Sequence, residues 1–329
     1  MSGASDTSGP VGSSPTAPDG LVVVDKPAGW TSHDVVARMR RLARTKKVGH
    51  AGTLDPMATG VLVLGIGRAT RLLTYVVGAD KEYAATIRLG VATTTDDAEG
   101  ETVTVADASA VTRDAIDAGV AALTGPILQV PSSVSAIKVD GKRAYALVRA
   151  GESVELAARP VTIHGFEVHE VRPATANAVT VLDVDVTVEC SSGTYVRALA
   201  RDLGAALGVG GHLVALRRTR VGGYRLDVAR TLDDLAALAD DGPLPVLSLA
   251  DAARATFRAR ELTAEETMAL SFGRRIAATP ISAAPGARVP SAAVSTKRPT
   301  AAFAPDGTLV ALLEDRMGQS VSVVVFAPA

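Results

Sequence analysis

A single cysteine, Cys190, stands among 329 residues, so no internal disulfide framework can form, and the chain suits a reducing cytoplasm. Aromatic side chains make up only 3% of it. The core must therefore be built from Val, Leu, Ile and Ala, which a hydrophobic content of 47% supplies amply. No uninterrupted apolar run reaches the roughly 18 residues of a membrane span, and no apolar N-terminal signal segment is present. The expectation is a cytoplasmic protein without a membrane partner. One cysteine and five scattered histidines give no metal-cluster spacing. Without GxGxxG after a strand or GxxxxGK[ST], a nucleotide cofactor has no support either. Internal repeats and heptads are missing. A net charge of −1 argues against a protein that simply coats nucleic acid.

The charges that are present are clustered. Arg38, Arg40, Arg41, Arg44, Lys46 and Lys47 crowd one short segment, and Arg217, Arg218 and Arg220 form a second. Acidic residues concentrate at Asp96-Asp97-Glu99-Glu101 and Asp114-Asp117. Such patches suit a polyanionic substrate held over a limited footprint, although each alone is equally a solvated face.

Along the chain, residues 1–18 are rich in Ser, Gly, Pro and Thr and read as a disordered leader. Leu21–Val24 make a short strand. Thr31 then offers an N-cap, with Asp34 completing a capping box, to a helix over 32–44 whose arginines oppose its apolar face. Strands are expected at about 61–66, 84–89 and 179–188, helices at 112–123 and 195–207, and an exposed loop at 93–101. Irregular alternation favours an α+β fold with a mixed, largely antiparallel sheet over a doubly wound parallel one. Near residue 250 the texture changes. Ala-rich segments, a Pro/Ser/Ala stretch at 279–294 and short strands at 310–313 and 321–325 suggest a small separate β-rich domain. The expected division is 19–250 for a main domain and 251–329 for that smaller one.

The most informative stretch is Gly49-His50-Ala51-Gly52-Thr53-Leu54-Asp55-Pro56-Met57-Ala58-Thr59-Gly60. Glycines permit unusual backbone angles and close approach, Pro56 restricts Asp55 to extended conformations, and the apolar run that follows anchors the loop. Taken alone, an Asp before proline in a glycine-rich loop is most often a turn former. Its company reverses those odds. Asp25-Lys26-Pro27-Ala28-Gly29-Trp30-Thr31-Ser32, Lys47-Val48-Gly49-His50, Lys81-Glu82-Tyr83, Ser135 to Tyr145, Ser192-Gly193-Thr194-Tyr195-Val196-Arg197 and Leu216-Arg217-Arg218 follow in order. Together with the Asp55 loop this set, over about residues 20–220, resembles the TruB family of tRNA pseudouridine synthases.

The resemblance implies a mixed-sheet core with a cleft, an insertion over about 129–160 that closes on RNA, and a PUA-like RNA-binding C-terminal domain. Where the family usually has two prolines and an aromatic, this chain reads Gln129-Val130-Pro131-Ser132-Ser133-Val134. The reaction implied is isomerisation of uridine to pseudouridine at position 55 in the tRNA T loop, by base flipping, with no cofactor or metal. Asp55 is the implied catalytic carboxylate, acting as nucleophile or as a stabiliser of positive charge. Arg197 would pair with it, and Tyr83 would stack on the uracil and help move a proton. His50, Tyr195 and Leu216 would contact the substrate nucleotide. Lys26, Arg38, Arg41, Arg44 and Lys47 are candidate contacts to the RNA backbone, or else solvated. A monomer acting on the T stem-loop is expected. Competing readings are an RNA-guided relative within the superfamily, a tRNA-binding folding chaperone and, more remotely, a simple hydrolase.

Overall fold

The structure, a computed structural model, describes residues 16–132, 138–139, 142–143, 156–278 and 299–327. Most of the expected leader, more than half of the Ser135–Tyr145 motif and of the insertion, and the stretch at 279–294 lie outside these residues. The strands of the main sheet and its appendages are β1 (Gly20–Lys26), β2 (Val48–His50), β3 (Thr59–Ile66), β4 (Lys81–Leu89), β5 (Val91–Thr93), β6 (Thr102–Val105), β7 (Gly125–Gln129), β8 (Lys138–Val139), β9 (Lys142–Arg143), β10 (Arg159–Ala176), β11 (Val179–Cys190), β12 (Gly211–Val221), β13 (Tyr224–Arg225) and β14 (Leu247–Ser248). β15 (Arg258–Glu261), β16 (Ile276–Ala277), β17 (Thr300–Phe303), β18 (Leu309–Arg316) and β19 (Gln319–Val325) follow. The α-helices are α1 (Ser32–Leu42), α2 (Leu73–Val77), α3 (Arg113–Ala122), α4 (Val196–Ala206), α5 (Leu232–Asp240), α6 (Leu249–Thr256) and α7 (Ala264–Ser271).

Ten strands form one sheet, ordered β14-β1-β3-β12-β4-β11-β10-β7, with β2 on β3 and β13 on β12. Among its named pairs only β3–β12 is parallel, which makes the sheet mixed and largely antiparallel, as the sequence suggests. The apolar runs of β1 and β3 are continuous because both faces are covered. Val22, Val24, Leu62 and Leu64 enter one core, which they share with Val35 and Met39 of α1 and Leu199 and Leu203 of α4. Leu21, Val23, Val61 and Val63 enter a second core on the opposite face.

That second core also holds Phe257, Phe303, Leu309, Leu312 and Phe326 of the C-terminal part, whose five strands run β15-β17-β18-β19-β16. Arg68 and Arg71 add guanidinium bonds to Phe326 O at 2.6 Å and Val325 O at 2.8 Å. The β-rich C-terminal part therefore keeps a small core of its own around Leu262, Leu270 and Val310 and leans on the main sheet through another.

Local details sharpen the sequence reading. Thr31 caps α1 with a complete capping box to Asp34. The helix closes at Leu42, two residues short of the expected 44, and Arg44 turns out in the left-handed region at φ 52°. Ala17 is buried and donates to Ala43 O at 3.1 Å, so the folded body begins inside the stretch read as leader. The loop at 93–101 is not simply exposed. Asp96 and Asp97 at its tip are buried, because arginines of α4 reach into it.

Candidate active site

The Asp55 loop runs from β2 into β3 and is held from three directions. From α1, the buried Ser32 hydroxyl donates to Leu54 O at 3.2 Å and accepts from Leu54 N at 2.9 Å. From below, the Lys26 ammonium donates to Pro27 O at 2.9 Å, Trp30 O at 2.6 Å and Pro56 O at 3.2 Å. From β12, the buried Arg218 guanidinium donates to Val61 O at 2.7 Å, Gly52 O at 3.1 Å and Thr53 O at 3.3 Å. Gly60 makes this approach possible. Its φ is +99°, and an added Cβ would lie 2.2 Å from Arg218 O. A loop whose carbonyls are pinned by two buried cations presents its carboxylate from a rigid base.

This arrangement corrects two expectations. Lys26 is fully buried and its three donors are taken by carbonyls, so it cannot reach an RNA phosphate; burial brings its pKa down to about 8. Nor is the second basic cluster a surface patch. Arg217 pairs with Asp25 at 2.6 Å, Arg218 is spent on the loop, and Arg220 pairs with Glu189 at 2.6 Å.

Arg197, in the first turn of α4, places its Nε 3.1 Å from Asp55 Oδ2. Its Nη1 donates to Asp97 Oδ2 at 3.0 Å and to Thr95 O at 3.0 Å. One guanidinium thus bridges two carboxylates, and the inner one, Asp97, fixes the fork that the outer one meets. Asp97 is only 2% exposed, whereas Asp55 keeps 37% of its side chain open. Burial still pushes the Asp55 carboxyl above the ordinary carboxylate range; Arg197 pulls it down, Asp97 pushes it up, and Lys26 and Arg218 pull it down.

Asp55 opens into a cleft of about 360 Å³, walled by Tyr83, Tyr195, Leu216, Val77 and the turn Ser192–Thr194, with Lys81, Arg197 and Arg218 beneath. That size is at the lower end of ligand clefts, roughly 300–1,000 Å³, and suits one nucleotide. Burial raises the Tyr83 hydroxyl's pKa, so it stays protonated near neutral pH. The Lys81 ammonium is tied to Val77 O at 2.9 Å and Ala79 O at 2.7 Å, and burial lowers its pKa to about 8. Ser192 donates to Val77 O at 2.7 Å and no histidine lines the cleft, so a Ser-His-Asp reading finds no geometry here.

The structure brings Asp55, Tyr83, Tyr195, Arg197 and Leu216 to this one cleft. His50 is not part of its lining. It lies half-buried in β2, with its ring edge-on to His33 at 5.7 Å, and burial, followed by the neighbouring His33, lowers its pKa. Arg41, Arg44 and Lys47 are exposed and Arg38 is half-buried, all outside the cleft. Sequence reasoning assigned no site role to Asp97, Thr95, Ser32, Lys81 or Gln129, although Ser32 and Lys81 fall within its motifs. Gln129 is buried at the end of β7 and bonds to both main-chain groups of Tyr195. Only the insertion-side motif could have pointed to Gln129. Among the described residues no group of three or more His, Cys, Asp or Glu could hold a metal ion. No helix among them is long and apolar enough to cross a membrane.

Comparison with known proteins bears on the same residues. Residues 40–196 match the N-terminal domain of TruB family pseudouridylate synthases, 197–244 a tRNA pseudouridylate synthase B C-terminal domain, and 257–327 the C-terminal part of tRNA pseudouridine synthase II. The tRNA pseudouridine synthase B of Arthrobacter sp. (strain FB24) is 68% identical over 94% of this chain and 97% of its own. That of Streptomyces coelicolor is 56% identical over 94% and 98%. Among solved structures, one chain of an H/ACA RNP bound to a substrate RNA containing 2′-deoxyuridine superposes with a TM-score of 0.67 at 25% identity, over 94% of this chain and 84% of that one. A chain of a Cbf5-Nop10-Gar1 complex gives 0.65 at 26%, over 93% and 84%.

Proposed function

The chain belongs to the TruB family of pseudouridylate synthases, and on that premise we propose that it converts uridine to pseudouridine at position 55 of tRNA, in the T loop, with Asp55 as the catalytic carboxylate. The observation that carries this reading is the Asp55–Arg197 pair, 3.1 Å apart at the floor of a cleft sized for one nucleotide. The isomerisation is atom-neutral. The C1′–N1 bond of uridine breaks, C1′ is joined to C5, the proton on C5 leaves, and N1 gains one. What the protein must supply is negative charge beside the ribose, a hold on the detached base, and exclusion of water.

Asp55 supplies the charge, and Arg197 keeps it ionised against the cost of burial. Tyr83 and Leu216, both buried in the cleft wall, pack against the base, and the protonated Tyr83 hydroxyl is available for proton movement. A uridine inside a folded T loop must be flipped out to enter, at a few kcal/mol, offset by stacking in the cleft. Arg38, Arg41, Arg44 and Lys47 hold the RNA backbone from outside the cleft, and His50 braces the opened loop. The C-terminal part adds a second RNA-binding surface. The protein acts in the cytoplasm, as a monomer.

An RNA-guided mode is the competing reading, because one superposing solved chain comes from an H/ACA RNP and another from a multi-protein Cbf5-Nop10-Gar1 complex. Those chains share 25–26% identity, whereas the proteins at 56–68% are named for tRNA. The test is incubation of the pure protein with unmodified tRNA, followed by mass-spectrometric mapping. Pseudouridine at position 55 without any guide RNA is the expected result. No product, or product only with an added guide and partner proteins, would overturn it.

A further inference from the structure

Gln129 ends β7 at 1% exposure, and its carboxamide is turned entirely toward one residue. Its nitrogen donates to Tyr195 O at 3.1 Å, and its oxygen accepts from Tyr195 N at 2.9 Å. A carboxamide carries a donor and an acceptor side by side, as one edge of a peptide strand does, so it reads both main-chain groups of Tyr195 at once. Tyr195 is the N-cap residue of α4, and its own side chain makes no capping bond. Two residues later comes Arg197. One turn further along the same helix face, Arg201 donates to Val130 O at 2.7 Å and pairs with Asp96 at 3.2 Å. The last residue of β7 and the one that follows it thus grip two successive turns of the helix that carries the arginine facing Asp55.

We propose that Gln129 is a positioning residue for the isomerisation, fixing the Tyr195 main chain and through it both the Tyr195 ring in the cleft and the Arg197 guanidinium against Asp55. The inference rests on the reading of Asp55 as the catalytic group. It accounts for the residue type. Glu lacks the donor, Asn is one methylene shorter, and Met fills the space without either bond. β7 is itself fixed by pairing with β10 from Gly125 to Gln129, so the clamp stands on the sheet and not on a loop.

The test uses full-length Gln129→Met and Gln129→Glu with unmodified tRNA, reading the single-turnover rate constant, tRNA affinity and melting temperature across mildly acidic to mildly basic pH. Gln129→Met is expected to lose about tenfold to a hundredfold in rate, as for a reacting group displaced by an ångström, with affinity changed by less than about threefold. In Gln129→Glu the carboxylate still accepts from Tyr195 N but repels Tyr195 O, and protonation restores the donor. Its rate relative to wild type should therefore climb as pH falls. A folded Gln129→Met with the wild-type rate constant would overturn the proposal, and so would a Gln129→Glu ratio that is flat with pH. Should Gln129→Met fail to fold, the isosteric Glu variant decides through that ratio. Wild-type protein making no pseudouridine in tRNA defeats the functional reading itself, whereas an active wild type with unimpaired variants defeats only the role of Gln129.

Discussion

Helix α1 and strand β12 carry similar runs of guanidinium groups, but different neighbours surround them. On α1 and just beyond it, Arg41, Arg44, Lys46 and Lys47 are exposed, and among the described residues none of them forms an ion pair. On β12, Arg217 and Arg220 are paired with Asp25 and Glu189, and Arg218 is buried against the carbonyls of the Asp55 loop. Lys26 belongs with this inner group. The inner cations build and bias the site, and the outer ones remain available to a polyanion. A cluster of basic residues in sequence does not distinguish these fates, because the partner of each cation arrives from a different strand.

The sharpest way to separate the two groups is to remove the charge the inner one surrounds. Asp55→Asn should reduce pseudouridine formation by at least about a hundredfold to a thousandfold, the cost of losing one preorganised electrostatic group, and leave tRNA affinity within about threefold. Burial raises the folded-state pKa of Asp55. Its contribution to stability is therefore fully present below the unfolded value and is lost as pH rises through the folded one. At neutral pH the ionised group is a cost to folding, so Asp55→Asn should melt at or above the wild-type temperature. By the same shift, the acid limb of kcat/KM should fall at a pH above the ordinary carboxylate value of 3.8. A variant that melts lower and keeps its activity would break the assignment on both counts.

The next largest effect tests whether the inner cations are structural. Arg218→Met leaves the carbonyls of Gly52, Thr53 and Val61 without the donor they share, at roughly 3 kcal/mol or more in total. Activity should fall with it, since the loop loses its anchor. Lys26→Met should act in the same sense, lowering the denaturant midpoint while leaving the salt dependence of tRNA binding unchanged. Arg41→Gln, by contrast, should stay within about 0.5 kcal/mol of wild type in stability. Chemical denaturation of the three variants checks this ordering, and an unchanged midpoint for Arg218→Met would dissolve the distinction between the groups.

Much of the site was legible because its parts lie in short local runs. The Gly49–Gly60 loop, Lys81-Glu82-Tyr83 and Ser192 to Arg197 are contiguous, and a resemblance of motifs carries over whole. Thr31 and Asp34 announced α1 for the same reason. Asp97 gave no such signal. It lies 100 residues before Arg197 in the chain, in a Thr- and Asp-rich stretch that looks solvated, and only the fold brings them together. β10 carries no clear strand signal because its sequence mixes prolines and charges with its apolar positions, and mainly its pairing with β11 makes it a strand. The sequence expectation for Lys26 fails for a general physical reason. Sequence shows a charge, but not whether carbonyls already surround it.

The smallest expected effect is also the most direct test of the outer group. Arg38, Arg41 and Arg44 recur every three residues from the middle of α1 to just past its end, and Arg44 is carried outward by its left-handed backbone. If they hold phosphates, replacing all three with Gln should lower the slope of log affinity against log salt by roughly 2 to 3, because each contact releases about 0.7–0.9 of a counterion. Helix α1 should survive, since its capping box and buried Val35, Val36 and Met39 are untouched and Gln is nearly as good a helix former as Arg. The rate of the bound complex should change by less than about twofold, because these side chains grip the backbone and do not approach the reacting base. Binding isotherms at several salt concentrations, paired with single-turnover rates, read both quantities. Identical slopes would mean that this face is only solvated. The inner arginines could not then take over, being already engaged, and the phosphate path would have to run across the exposed Arg274 and Arg275 of the C-terminal part.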